Sequence, residues 1–103
     1  MFHGHNLIYI QQCTQLQALL TPGVFHTGHF IPYILMEWGY LSSTFCPEQD
    51  RLVEVLVSAG FMPRDAITMG SLPLSCLQGH VTDVLWVHTK AVKIWNQEAM
   101  VEC

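Results

Sequence analysis

The side chains able to do chemistry are six histidines, four cysteines and eight carboxylates in a chain of 103 residues. His26 and His29 stand three apart in VFHTGHFIPYILMEWGY, residues 24–40. Imidazole nitrogens ligate zinc, and a zinc site takes three or four such donors. A strand sends residues i and i+3 to opposite faces, so this pair converges only if Thr27-Gly28 turns. His3 and His5 share a face when extended and make the more natural pair. No zinc-type spacing ties either pair to His80, His88 or a cysteine. The expected role of His3, His5, His26 and His29 is polar surface, with a metal-dependent enzyme as the alternative; no cofactor is expected.

Cys13, Cys46, Cys76 and Cys103 are widely and almost evenly spaced, with no CxxC. The start, MFHGHNLIYIQQ, lacks the basic region and long apolar run of a secretory signal. A reducing cytoplasm and four free thiols are therefore expected. Cys46 stands just before a strong helix pattern. At the cap of that helix its thiol would feel the dipole and become more acidic, the setting a thiol enzyme needs. A small capping or buried residue is the simpler expectation.

From Met1 to Met36 there is no Asp, Glu, Lys or Arg. Glu37 is the first charge, between Met36 and Trp38. Burial would raise its pKa and suit it to acid–base work. Alternation instead sets it opposite Trp38, toward solvent. Glu48, Asp50 and Glu54 share one helix and form its solvated side. GxGxxG, P-loop, GxSxG and HExxH patterns do not occur, so nucleotide and common hydrolase chemistries are not expected.

The elements that position these residues follow from patterning. NLIYIQQ (6–12) reads as a strand buried on both faces, and TQLQALL (14–20) as a short helix with Thr14 as its cap. Pro22 and Gly23 stop it. VFHTGHF (24–30) and YILMEWGYL (33–41) alternate as strands, broken at Pro32, with Ile34, Met36, Trp38 and Tyr40 toward the core. CPEQDRLVEVLVSAGF (46–61) carries every helix signal: Pro47 at the first position, early acids, Leu52, Val53, Leu56 and Val57 on one face, and Gly60 at the end. DAITMG (65–70) reads as a short strand, SLPLSCLQG (71–79) as loop, HVTDVLWVH (80–88) as a strand and 89–103 as a terminal helix. The sum is one α+β domain over 1–103, mostly antiparallel with two or three helices, whose first six elements suit a ferredoxin-like βαββαβ order.

Hydrophobic residues make up 50% of the chain and charged residues 12%, against about 25% charged in a typical soluble domain. The net charge is −4, and the four basic residues are scattered. Nucleic acid and anionic membrane surfaces both call for clustered Lys and Arg, so neither is an expected partner. A span needs about 20 apolar residues, and the apolar runs here are broken by Gln, Pro and Gly. With few charges to cover a small domain, an exposed apolar patch is expected, and such patches mark interfaces. The expected function is a small acidic protein-binding module, an inhibitor or accessory factor of viral or mobile-element type. Phe30, Tyr33, Trp38 and Tyr40 are its candidate contacts, and another protein or a second copy in a homodimer is its partner. A further alternative is a small apolar ligand held between the sheet and the 47–59 helix.

Overall fold

The computed structural model of the chain describes residues 2–3, 7–20, 31–41, 46–78, 80 and 82–91. Five strands, β1 (Phe2–His3), β2 (Leu7–Ile10), β3 (Tyr33–Met36), β4 (Phe61–Asp65) and β5 (Val84–His88), form one mixed sheet in the order β1-β2-β3-β5-β4. Helix α1 (Cys13–Leu19) links β2 to β3, and α2 (Gln49–Ser58) precedes β4. The fold is α+β, as the patterning predicts. β2 and β3 are parallel and hydrogen-bond directly, whereas β1·β2, β3·β5 and β4·β5 are antiparallel. A ferredoxin-like order would set the strand over 33–41 antiparallel beside the strand over 6–12, whereas β2 and β3 are parallel, so that order is not confirmed. The strand expected over 24–30 and the helix expected beyond residue 91 lie outside the described residues.

Period-two alternation decides which side of each strand is buried. Ile8 and Ile10, Ile34 and Met36, and Val84 and Trp86 point to one face and are fully buried. Leu16 and Leu19 of α1 and Leu52 and Leu56 of α2 join them in one core cluster with Trp38, Phe61, Leu72 and Leu77. Both helices thus cover the same face. Each fully buried Leu or Ile contributes about 1.5–3 kcal/mol, so this layer carries the fold. Strand β2 is half-buried on its other face rather than buried on both. Trp38 and Trp86 meet with ring centroids 6.2 Å apart. The Trp86 indole N–H is buried without an acceptor among the described residues, a cost of about 1–3 kcal/mol that its ring burial offsets.

Several boundaries differ from the pattern. Gln12, not Thr14, caps α1: its N–H and Gln15 form a capping box, with Gln15 Oε1 accepting from Gln12 N–H at 3.2 Å. The cap of α2 is Glu48, so Pro47 precedes the helix. β3 ends at Met36, and Trp38–Leu41 winds into a 3-10 turn. The segment read as a strand, 65–70, is mostly a turn, and the strand is Phe61–Asp65. Pro63 hides that strand. Within a strand a residue's N and C=O point to the same side, and the Pro63 carbonyl accepts Leu72 N–H at 3.1 Å. Its missing N–H therefore faces away from β5 and removes no bond from the β4·β5 ladder.

Gly60 ends α2 as expected, with φ +97. A Cβ placed there would lie 2.8 Å from His88 Nε2. That nitrogen is 3.1 Å from Ala59 O, where its N–H caps the helix end. Gly60→Ala is expected to lose about 2 kcal/mol through the left-handed backbone and the displaced imidazole. Urea midpoints check this, with Ser58→Ala on the exposed helix surface as a near-neutral control.

The cysteines also depart from expectation. Cys13 and Cys46 are joined by a disulfide with Cα atoms 5.6 Å apart. None of the described cysteines is a free thiol. The bond ties the first residue of α1 to the segment that enters α2.

Candidate functional site

Among the described residues, the densest polar arrangement surrounds Asp65, the last residue of β4. This carboxylate is buried, at 4% exposure, on the core side of the sheet. Its Oδ2 accepts the backbone N–H of Ile67 at 3.2 Å and of Thr68 at 2.8 Å. Its Oδ1 accepts the Thr82 hydroxyl at 2.5 Å and lies 3.1 Å from His80 Nε2. Asp followed by two donated amides is an Asx turn, in which the side chain takes the place of a backbone acceptor.

Further bonds fix the rest of the turn. Met69 N–H donates to Asp65 O at 2.8 Å, and Asp65 N–H to Gly70 O at 3.0 Å. Gly70 N–H donates to Thr68 Oγ1 at 3.2 Å. The buried Arg64 guanidinium donates through Nη1 to Met69 O at 2.8 Å. Met69 holds φ +63, a left-handed conformation that costs an L-residue about 1–2 kcal/mol. The network around Asp65 offsets that strain.

Burial pushes the Asp65 pKa up, but hydrogen bonds from Thr82, Thr68 and His80 outweigh it and bring it to about 2, below its ordinary 3.8. The folded state therefore holds the ionised form more tightly than the unfolded chain does. That stability is complete above pH 3.8 and is lost as pH falls through about 2. The shift corresponds to about 2 kcal/mol at neutral pH. Urea unfolding at pH 5 and pH 2 is expected to show this loss, and Asp65→Asn is expected to reduce it.

Asp65, His80 and Thr82 suggest a nucleophile–base–acid trio, but the atoms do not support one. The Thr82 hydroxyl proton goes to Asp65. His80 Nε2 also lies 2.8 Å from Thr82 Oγ1, so that nitrogen carries the hydrogen and donates. A catalytic base would have to accept the hydroxyl proton and be oriented by the carboxylate through its other nitrogen. Here one imidazole nitrogen serves both contacts. The trio ties the loop to the strand instead.

The pinned loop presents apolar side chains to solvent. Ile67 is 73% exposed, and Met69 is exposed beside it. Met62 on β4 and Leu74 in the following 3-10 turn are exposed as well. A second polar group stands at the same end of the sheet. Tyr9 donates its hydroxyl to Glu37 Oε1 at 2.6 Å, and Gln11 Nε2 donates to that oxygen at 3.2 Å. The Tyr9 bond, with help from Gln11, lowers the Glu37 pKa; the same bond raises that of Tyr9.

The residues expected to act fall out as follows. Trp38 is not a surface contact: it is 2% exposed, and its Nε1 donates to Leu77 O at 2.7 Å. The alternation that sends Ile34, Met36 and Trp38 inward is what the structure shows. Tyr33 is half-buried on the sheet face away from the helices. The side chains of Phe30 and Tyr40 lie outside the described residues, as do those of His3, His5, His26 and His29. Among the described residues no three His, Cys, Asp or Glu side chains gather as metal ligands. Cys46 is buried in its disulfide and is no thiolate, which removes it as the nucleophile of a thiol enzyme. Glu37 faces away from the core, as alternation predicts. Ile67, Met69 and Asp65 were not singled out by sequence. The available signal was DAITMG itself, where Asp, a Thr three residues on and a closing Gly suit a side-chain-capped turn better than a strand.

No helix among the described residues is long and apolar enough to cross a membrane. Comparison with protein-family models, with characterised proteins and with solved structures finds no match to this chain.

Proposed function

We propose that the chain is a protein-binding module, in the manner of an inhibitor or accessory factor, and that the 65–70 loop is its contact. One observation carries this reading: Ile67 is 73% exposed on a backbone held by a buried, multiply hydrogen-bonded carboxylate. An aliphatic side chain in that position adds nothing to the core. A rigid loop also loses little conformational freedom on binding, so more of the contact energy appears as affinity. Strained backbone positions such as Met69 concentrate where a structure serves a ligand or partner. The contact set thus moves from the aromatics of 30–40 to the tip of the β4–β5 connection.

The partner is another protein, with a second copy of the chain as the alternative. The Cys13–Cys46 bridge favours an oxidising compartment over the cytoplasm expected from sequence, because cytosolic thiols are kept reduced. Affinity purification of the tagged chain from its native host, with light scattering on the eluate, tests the reading. A stoichiometric partner, or a dimer, is expected with the natural chain and with Val57→Ser, an exposed apolar residue of α2. It is expected to be lost with Ile67→Ser. Retention by Ile67→Ser would remove the loop from the interface.

A further inference from the structure

The last paired row of the sheet runs through Ile10, Met36, Val84 and Asp65, which are register partners across β2, β3, β5 and β4. One step beyond, Glu37 N–H donates to Ile10 O and Ala66 N–H donates to Asp83 O. Continuing the register, Glu37, Asp83 and Ala66 stand side by side, about 5 Å apart from strand to strand. Ile67 follows Ala66 directly. Two carboxylates and the apolar tip therefore share one edge of the molecule.

These carboxylates lack cationic partners within the described part of the chain. Tyr9 and Gln11 both donate to Glu37 Oε1, which leaves Oε2 without a hydrogen bond among the described residues. The described ion pairs are Arg51–Glu48 and His80–Asp65, and neither involves Glu37 or Asp83. Burial, and then repulsion from the Glu37 carboxylate, raise the Asp83 pKa. A cation from outside would relieve that repulsion where an apolar surface lies alongside.

We infer that the loop's partner is a polypeptide segment carrying Lys or Arg beside a large apolar side chain. The apolar group packs on Ile67 and Met69, and the cation pairs with Glu37 Oε2 and Asp83. This rests on the loop being the contact. Charge complementarity selects the occupant, since like charges across an interface are strongly disfavoured.

A displayed library of random dodecapeptides, panned on the immobilised full chain, tests it. The expected result is enrichment of peptides with Lys or Arg next to an aliphatic or aromatic residue. Their affinity is expected to fall about tenfold in Glu37→Gln and in Asp83→Asn, which keep size and remove charge, and at least as much in Ile67→Ser. Binding of the natural chain, and not of the neutralised variants, is expected to weaken steeply with salt. Apolar peptides without basic residues, lost only in Ile67→Ser, would overturn the cationic partner and leave the loop contact standing. Peptides indifferent to Ile67→Ser, or no enrichment at all, would overturn both. Calorimetric binding of calcium alone, abolished in Glu37→Gln, would assign the carboxylates to a metal ion and overturn the proposal.

Discussion

Replacing Cys13 and Cys46 together with serine is expected to destabilise the chain by about 3–4 kcal/mol, from the loop that their bond closes. The two residues are 33 apart in sequence. Linking them removes conformations from the unfolded chain, and the effect grows with the logarithm of the loop. They also bind the start of α1 to the entrance of α2, the two helices that bury the sheet. Ordinary domains of this size are stable by only about 5–15 kcal/mol, so the change is a large fraction of the whole. In thermal unfolding followed by circular dichroism, the midpoint is expected to fall by about 12–25 °C. Dithiothreitol should lower the midpoint of the natural chain at least as far, because it also reduces the disulfide in which Cys76 takes part. A midpoint insensitive to both would mean that the helices hold their places without the bridge.

Asp65→Ala is expected to cost about 3–4 kcal/mol, comparable with removing one member of a buried charged pair. The variant strands four donors at once: the amides of Ile67 and Thr68, the Thr82 hydroxyl and His80 Nε2. Solvent can re-enter at the loop, which keeps the cost below the sum of four separate penalties. Asp65→Asn retains acceptor capacity at one oxygen and is expected to lose about half as much. The two variants separate hydrogen bonding from side-chain volume. Hydrogen exchange should also show the Ile67 and Thr68 amides exchanging much faster in Asp65→Ala, while the amides of β5 stay protected. An unchanged exchange rate at Ile67 would mean that the carboxylate does not set the loop's shape.

The elements legible in the sequence are those in which local and tertiary demands agree. Helix α2 places Leu52 and Leu56 on its buried stripe, carries Asp50 in its first turn and ends at a glycine with positive φ. β5 alternates Val84 and Trp86 inward with Leu85 outward, and β3 does the same with Ile34 and Met36. Elsewhere a distant contact decides the local state. Pro63 argues against a strand until β4 is seen to be flanked by Gly70 and Leu72 on the side that needs no donor. The alternation of DAITMG suits a strand, but the Asp65 side chain captures the amides that a ladder would use. The disulfide has no local signature, because it depends on the approach of two segments 33 residues apart. The aromatics of 30–40 pointed to an interface by composition alone. For Trp38 burial prevailed, since its ring fills the core beside Trp86 and its N–H finds the Leu77 carbonyl. An exposed Ile67 is invisible to pattern, because a lone isoleucine in a short turn carries no period.

Hydrogen–deuterium exchange on the chain alone and in complex with the partner it captures shows whether the 65–70 loop is the working surface. Binding is expected to slow exchange chiefly across residues 66–72, with a smaller effect near Glu37 and Asp83, and to leave α2 unchanged. Protection centred on α2 or around Tyr33, with the loop exchanging as in the free chain, would contradict it.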